Sequence, residues 1–429
     1  MKRRTWLAVT GLVAIVVLAG CATAVGATLI SSGPPLRGDA KEQPSLRLAG
    51  AVNDFGLDLL KATTATGTTD NVIVSPASVH AALSMTANGA TGQTEQQMRT
   101  VLHTQSISPS AANQQWASLL AGLESRSSDQ TLKIANALWA RKGIAFKKPF
   151  IDTDRDFFGA QVTTLDFVKD DVAGAINGWV ANNTAGMITH IVNGVDPNAI
   201  LFLTNAVYFK GEWATAFSPQ DTHKQVFTRA DGSTVRVDMM NAKEQLPDYA
   251  ESATLQATRL QYKGGDSVFY VMLPKPGVSL EAAEASLEGT GFSNLSNSMA
   301  SIKRTLPGTS DEVVLGLPKL DASLSTSLAK PLAAMGMPRA FDQNTAQLSG
   351  MADLRAPIYI VDVLHATKVK VDEQGTVAAA ATAVEMGARG AATSTRTHTI
   401  ICNRPYLFAI VDKRSGAMLF LGAVNDPTK

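Results

Sequence analysis

Histidines, cysteines and carboxylates in close register are the side chains that most often do chemistry, and in this chain they are scattered. The six histidines stand at His80, His103, His190, His223, His365 and His398. None opens an HExxH, and none lies three or four residues from another, so no helix-borne zinc pair forms from them. No GxSxG turn offers a strained nucleophilic serine. No Gly-Lys pair builds a phosphate loop, and no GxGxxG follows a strand. Cys402 follows Ile400 and Ile401 in an apolar run, where a small buried hydrophobe is expected rather than a nucleophile. Neither an enzyme nor a metal or organic cofactor is expected.

The segment that stands out is 369–396. Val369-Lys370-Val371-Asp372 alternates as a strand does. There follow Glu373-Gln-Gly-Thr-Val-Ala-Ala-Ala-Ala-Thr382 and then Ala383 to Arg396, small and polar nearly throughout. A loop of about twenty residues is rare in a compact domain and is usually functional or disordered. An Ala-rich helix is the plain alternative, since alanine has the highest helix propensity. A third possibility is a segment that serves both as loop and as strand.

Such a segment needs a scaffold, and the rest of the chain supplies one. Leu48, Val52, Phe55, Leu59 and Leu60 recur at helical spacing, as do Val79, Ala82, Leu83 and Thr86. Strand-like runs fall at Leu132–Ala140, Ile200–Phe209, Val268–Leu273, Val313–Leu317, Thr367–Val371, Leu407–Val411 and Met418–Val424. Strands and helices without strict alternation predict an α+β fold rather than a doubly wound sheet. No Pro/Gly-rich joint divides 46–429, so one large domain is expected. Of 429 residues 45% are hydrophobic and 17% charged, with a net charge of +1. That is a globular composition, and it carries no excess of cations for a nucleic-acid partner. Two cysteines exclude a disulfide scaffold.

The N-terminus reads as an export signal. Lys2, Arg3 and Arg4 precede an apolar stretch from Trp6 to Gly20. Leu18-Ala-Gly-Cys21 resembles the bacterial lipoprotein processing box, which implies cleavage before Cys21 and a diacylglyceryl group on its sulfur. Each acyl CH₂ then contributes about 0.8 kcal/mol of membrane affinity. Residues 1–20 are on this basis a lipoprotein signal peptide, and 21–45 a flexible tether containing Ser31-Ser-Gly-Pro-Pro35 and Pro44. The alternative is a single uncleaved transmembrane helix, since no charge occurs from Thr5 to Leu36 and roughly 20 apolar residues span a bilayer. Either way the body lies outside the cytoplasm, at the membrane.

Glu373-Gln-Gly-Thr-Val-Ala-Ala-Ala-Ala381 resembles the hinge of the serpins. Ile400-Ile-Cys-Asn-Arg-Pro-Tyr-Leu-Phe408 is similar to that family's C-terminal signature, with Tyr406 where Phe is usual. Asn71–Ser78 is similar to the start of helix B, Ile176–Thr184 to helix F, and Leu203–Trp213 to strand 3 of sheet A. Leu317-Pro-Lys-Leu320 and Met335–Phe341 also match, so the resemblance runs along the whole body in the correct order.

The resemblance implies a single-domain serpin fold with a large central sheet A, sheets B and C, eight or nine helices and an exposed reactive-centre loop. It implies a one-shot inhibitor of serine proteases that acts as a monomer. The protease cuts the loop, forms an acyl-enzyme, and is carried away as the loop enters sheet A as a new strand. Roughly fifteen inserted residues at about 3.3 Å each would move it on the order of 50 Å. The hinge would comprise Glu373, Gly375, Thr376, Ala378, Ala379, Ala380 and Ala381, where small side chains slide between strands and a proline or inward charge would stall them. Val377 stands where Glu is common in the family. Ser75, Ser78, Asn205 and His365 match the shutter beneath sheet A, and Trp213 the breach where the hinge enters.

The scissile residue of the family lies sixteen positions past the hinge Glu, which selects Arg389–Gly390 and a trypsin-like target. Counting back eleven from Pro405 gives Ser394 instead, so the loop is long on its C-terminal side; Met386 and Arg396 remain open. The stretch 106–128, matching the helix D region, has Arg126 as its one cation, so no heparin-type cofactor is expected. A non-inhibitory serpin, acting as a carrier or chaperone, is the competing expectation.

Overall fold

The helical periodicities fold as helices because their apolar faces have a common core to meet. In the computed structural model, which describes residues 28–31, 45–65, 71–124, 128–197, 199–242, 248–305, 309–354, 357–376 and 394–429, Leu48, Val52, Phe55, Leu59 and Leu60 are all buried. They lie on α1 (Leu46–Thr64), whose N-cap Ser45 accepts from the amide of Arg47. The helices that follow are α2 (Pro76–Ala87), α3 (Gly92–Val101), α4 (Pro109–Glu124), α5 (Lys148–Phe158), α6 (Val172–Asn183), α7 (Leu280–Ala285), α8 (Gly291–Thr305) and α9 (Ala329–Met335).

The strands in chain order are β1 (Thr28–Ser31), β2 (Val72–Val74), β3 (Gln130–Arg141), β4 (Gln161–Leu165), β5 (Leu201–Glu212), β6 (Thr222–Thr228), β7 (Thr234–Asn241), β8 (Tyr249–Glu251) and β9 (Leu255–Gln261). They continue with β10 (Ser267–Pro274), β11 (Thr309–Pro318), β12 (Leu320–Ser327), β13 (Asp362–Asp372), β14 (Gly375–Thr376), β15 (Ser394–Ile401), β16 (Tyr406–Asp412) and β17 (Met418–Val424). Each run read as strand-like falls within a strand, Ile200 alone being left outside.

Three sheets result: β1-β4-β3-β5-β14-β13-β12, β2-β17-β16-β10-β9-β8 and β15-β11-β7-β6. With the nine helices among the described residues they form the α+β architecture expected. The six-stranded sheet is the centre of the core: every residue of β10, β16 and β17 is buried, and α1 and α2 pack against it. Strands covered on both faces lose the alternation of a half-exposed sheet and read as continuous apolar runs.

The seven-stranded sheet matters most for function. β3 runs antiparallel to β5, with Gln130 beside Gly211 at the upper end and Ala140 beside Leu201 at the lower. β5 and β13 lie side by side in parallel from Phe202/Asp362 to Tyr208/Lys368. Parallel neighbours here are joined by no short turn, so this seam can part without breaking a hairpin. Above Lys368 the seam is already open, and β14 fills the gap.

One edge departs from the expected tether. Within residues 21–45, Thr28–Ser31 form β1, antiparallel to β4, with Thr28 beside Thr164 and Leu29 beside Thr163. β4 is parallel to β3 and ends at Leu165 beside Arg141. Thr28, the first described residue, therefore stands at the lower end of the sheet.

Candidate functional site

The hinge is built from the turn upward. β13 ends at Asp372, the chain reverses through Glu373 and Gln374, and Gly375–Thr376 run back as β14. Asp372 Oδ1 accepts from the Gln374 amide at 3.0 Å, a local bond that favours the reversal. β14 pairs with β13 through Val371–Thr376 and Asp372–Gly375, and with β5 through Gly375–Glu212 and Thr376–Gly211. Gly375 and Thr376, both expected in the hinge, thus occupy the gap between β5 and β13. Gly375 can be nothing larger, because an added Cβ would lie 2.2 Å from the carbonyl oxygen of Gly211.

Side chains secure this wedge from three directions. Thr376 is fully buried, and its hydroxyl lies 2.6 Å from the hydroxyl of Tyr262. Burial holds the Tyr262 phenol protonated far above its ordinary range. Tyr262 stacks on Trp213, with centroids 4.6 Å apart and planes 17° from parallel. Trp213 donates its indole N–H to the Asp372 carbonyl at 3.0 Å and its amide to the Gln374 carbonyl at 2.8 Å. Glu373 is buried, and its Oε1 accepts from Lys319 Nζ at 2.7 Å and Thr222 Oγ1 at 2.8 Å. Burial alone would raise the Glu373 carboxyl; the bonds from Lys319 and Thr222 outweigh it and hold it below its ordinary range.

Lower on the same seam a polar relay crosses the sheet. Asn136, Asn205 and His365 stand in one rung across β3, β5 and β13. The Ser75 amide donates to His365 Nε2 at 3.2 Å, which makes Nε2 the acceptor and leaves the proton on Nδ1. His365 Nδ1 then donates to Asn205 Oδ1 at 2.8 Å. Asn205 Nδ2 donates to Asn136 Oδ1 at 2.6 Å and also to Ser78 Oγ. Ser75 Oγ donates to the Leu419 carbonyl at 2.6 Å, tying the start of α2 to the central sheet. Ser75, Ser78, Asn205 and His365 are each fully buried, and burial pushes the His365 imidazole down to about 3. A neutral, hydrogen-bonded relay ties β3, β5 and β13 together across this seam, and parting the seam would break it.

The expected residues therefore fall into two groups on one seam. Ser75, Ser78, Asn205 and His365 meet; Trp213 meets Glu373, Gly375 and Thr376 at the upper end. Ala378, Ala379, Ala380, Ala381, Met386, Arg389, Gly390, Arg126 and Cys21 lie outside the described residues. Arg396 lies within β15, paired with Asp311 of β11. Cys402 is buried and its thiol is pushed up by that burial, as befits a packing residue. Among the described residues no group of three or more His, Cys, Asp and Glu is placed to hold a metal ion.

Tyr262, Thr222, Asn136 and Lys319 were not foreseen as parts of the site. Asn136 had a signal, a lone amide between Ala135 and Ala137 in an apolar strand, and Lys319 sits inside the matched stretch Leu317–Leu320.

The family model for "Serpin (serine protease inhibitor)" matches residues 50–427. An uncharacterized serpin-like protein of Thermococcus kodakarensis is 33% identical over 90% of this chain and 87% of its own length. The leukocyte elastase inhibitor of Bos taurus is 31% identical over 89% of this chain and all of its own. The crystal structure of tengpin, a thermophilic serpin in the native state, superposes with a TM-score of 0.81 at 29% identity, covering 94% of this chain and 100% of that one. With the three sheets, the openable seam and a match over nearly the whole body, this chain belongs to the serpin family, whose members are generally extracellular inhibitors of serine proteases rather than enzymes.

Proposed function

We propose that the protein is a suicide inhibitor of a trypsin-like serine protease, cut at Arg389–Gly390 and held at the outer face of the membrane through Cys21. The observation that carries this is β14. Gly375 and Thr376 pair with Glu212 and Gly211 in antiparallel register, and continuing that register downward sets residue 377 beside Lys210 and residue 386 beside Leu201, the lower end of β5. Ten more residues would fill the seam, and all of Val377–Met386 lack proline. Cutting after Arg389 leaves three residues beyond the filled strand, enough to hang an acyl-enzyme at the lower end. Cutting after Met386 would leave none.

Arg396 and Ser394 suit a protease less well. Both stand in the ladder of β15 with β11, whereas a protease cleft takes an extended segment free of other pairing. An Arg at the cut would select a pocket holding a carboxylate, through a desolvated ion pair with hydrogen bonds.

The test is to mix the protein with trypsin-like, elastase-like and subtilisin-like proteases. An SDS-resistant complex with the first and a released peptide beginning at Gly390 support the proposal. Clean hydrolysis without a complex argues for a non-inhibitory serpin, and a peptide beginning at Gly387 or Thr397 moves the cut. Arg389→Ala should abolish trapping of the trypsin-like enzyme and leave the fold intact.

A further inference from the structure

Six large hydrophobic side chains are exposed among the described residues, and four of them lie on segments joined through backbone contacts to the start of β1. Leu29 and Ile30 on β1 are 41% and 40% exposed, Val168 75% and Leu354 41%. Backbone contacts connect these segments in turn. Thr28 pairs with Thr164; the next residue, Leu165, accepts from the Lys142 amide at 2.8 Å, and Val168 follows three positions on. From Lys142 the chain reaches Phe146, bridged to Ala352, and Lys147, whose amide donates to the Met351 carbonyl at 2.7 Å. Leu354 comes two residues after that bridge. Three ion pairs stand here, Lys147 with Asp353, Lys148 with Asp152 and Lys169 with Asp166, beside exposed Lys142.

We propose that this lower end of the seven-stranded sheet is a membrane-facing surface, with Leu29, Ile30, Val168 and Leu354 resting in the headgroup region of the bilayer. The inference deepens the proposed membrane attachment and rests on it. Its occupant follows from chain length. Cys21 and Thr28 are seven steps apart, so at no more than about 3.6 Å per step the strand begins within about 25 Å of an anchored Cys21. The transmembrane alternative ends equally close to β1. An apolar edge strand left bare invites pairing with other chains, and a bilayer against it removes that hazard. Because most of the neighbouring cations are paired, contact depends mainly on apolar burial rather than on lipid charge. The hinge, at the opposite end of β5, faces away from the membrane.

The full chain is reconstituted in phosphatidylcholine vesicles whose acyl chains are brominated. Val168→Cys, Leu354→Cys and Val226→Cys each receive an environment-sensitive fluorophore; Cys402 is buried, and the labelled parent chain sets the background. Val226, 53% exposed on β6, is the control, since β6 begins at Thr222 beside Glu373 at the upper end. Expected is loss of fluorescence at positions 168 and 354 and none at 226, unchanged when anionic lipid is added. A vesicle-bound chain with no loss at 168 and 354, or with loss at 226, overturns the orientation and leaves the anchor standing. A chain that does not float with vesicles overturns both. A blue shift at 168 without quenching by bromine means that a second copy covers this face, and also overturns the proposal.

Discussion

At the scale of single residues, the contact between Thr376 and Tyr262 decides how firmly the hinge sits. Removing the Tyr262 hydroxyl in Tyr262→Phe keeps the ring stacked on Trp213 and leaves Thr376 Oγ1 buried without that partner. A net hydrogen bond contributes about 1 kcal/mol, so the Thr376 amide should exchange with solvent about fivefold faster. Unchanged exchange would show that the backbone ladder alone holds β14. Thr376→Arg is a harsher test. A charge at a fully buried position costs several kcal/mol, so the strand stalls at its first step and the acyl-enzyme hydrolyses. The variant should fold and be consumed as a substrate, seen as a steep rise in the molar ratio needed for inhibition; an unchanged ratio would sink the hinge assignment. His365 sets a pH dependence. Its folded-state imidazole is pushed down to about 3, against about 6.5 in the unfolded chain. Its contribution to stability is complete above about pH 6.5 and is lost as the pH falls from there toward 3. Buried His80 acts in the same sense, while Asp154 and Glu284, raised by burial, act in the opposite one. A comparison with His365→Gln cancels those three. Gln can accept from Ser75 and donate to Asn205, so the difference in Tm between parent and variant should shift in favour of the variant on going from pH 7.5 to pH 5.

At the scale of elements, legibility in the sequence followed burial and contiguity. The strands of the central sheet are apolar on both faces, so Leu407–Val411 and Met418–Val424 declare themselves in one dimension. The segment after Asp372 stands out in the sequence because its pattern is local, a run of small residues after a Gly. The relay was half legible: Ser75, Ser78, Asn205 and His365 lie in stretches with a family likeness, whereas Asn136 becomes a partner only through the register of β3 against β5. Tyr262, just past β9, and Lys319, between β11 and β12, reach Thr376 and Glu373 from far along the chain, and nothing in a single sequence announces such a meeting. β1 was read as tether because four residues carry too little periodicity to stand out from a Ser-, Gly- and Pro-rich surrounding. Its pairing depends on an unoccupied edge of β4, which only the assembled sheet provides. β15, from Ser394 to Ile401, pairs with β11 in parallel, so Ser394 and Arg396, two of the residues left open by the sequence, stand in a ladder.

At the scale of the whole molecule, the seam makes the fold one that can gain a strand. Filling it with residues 377–386 would give β5 and β13 new partners along their length, each ladder bond contributing about 0.5–1.5 kcal/mol net. A chain nicked within 377–393 should therefore melt at a higher temperature than the intact chain; no rise would mark a member that does not insert. The same geometry has a mechanical consequence at the membrane. On the proposed mechanism an inserted loop would deliver its acyl-linked protease to the lower end of the sheet, the end at which β1 begins. A protease domain of about 230 residues is about 45 Å across, wider than the slack of about 25 Å that an anchored chain retains with β1 in place. Unzipping β1 removes the obstruction: the free run then extends from Cys21 to Ser45, 24 steps and about 80 Å at full stretch. Four residues of edge strand would thus act as a mooring line with a slipped coil, holding the empty inhibitor close to the surface and paying out chain when it takes on cargo.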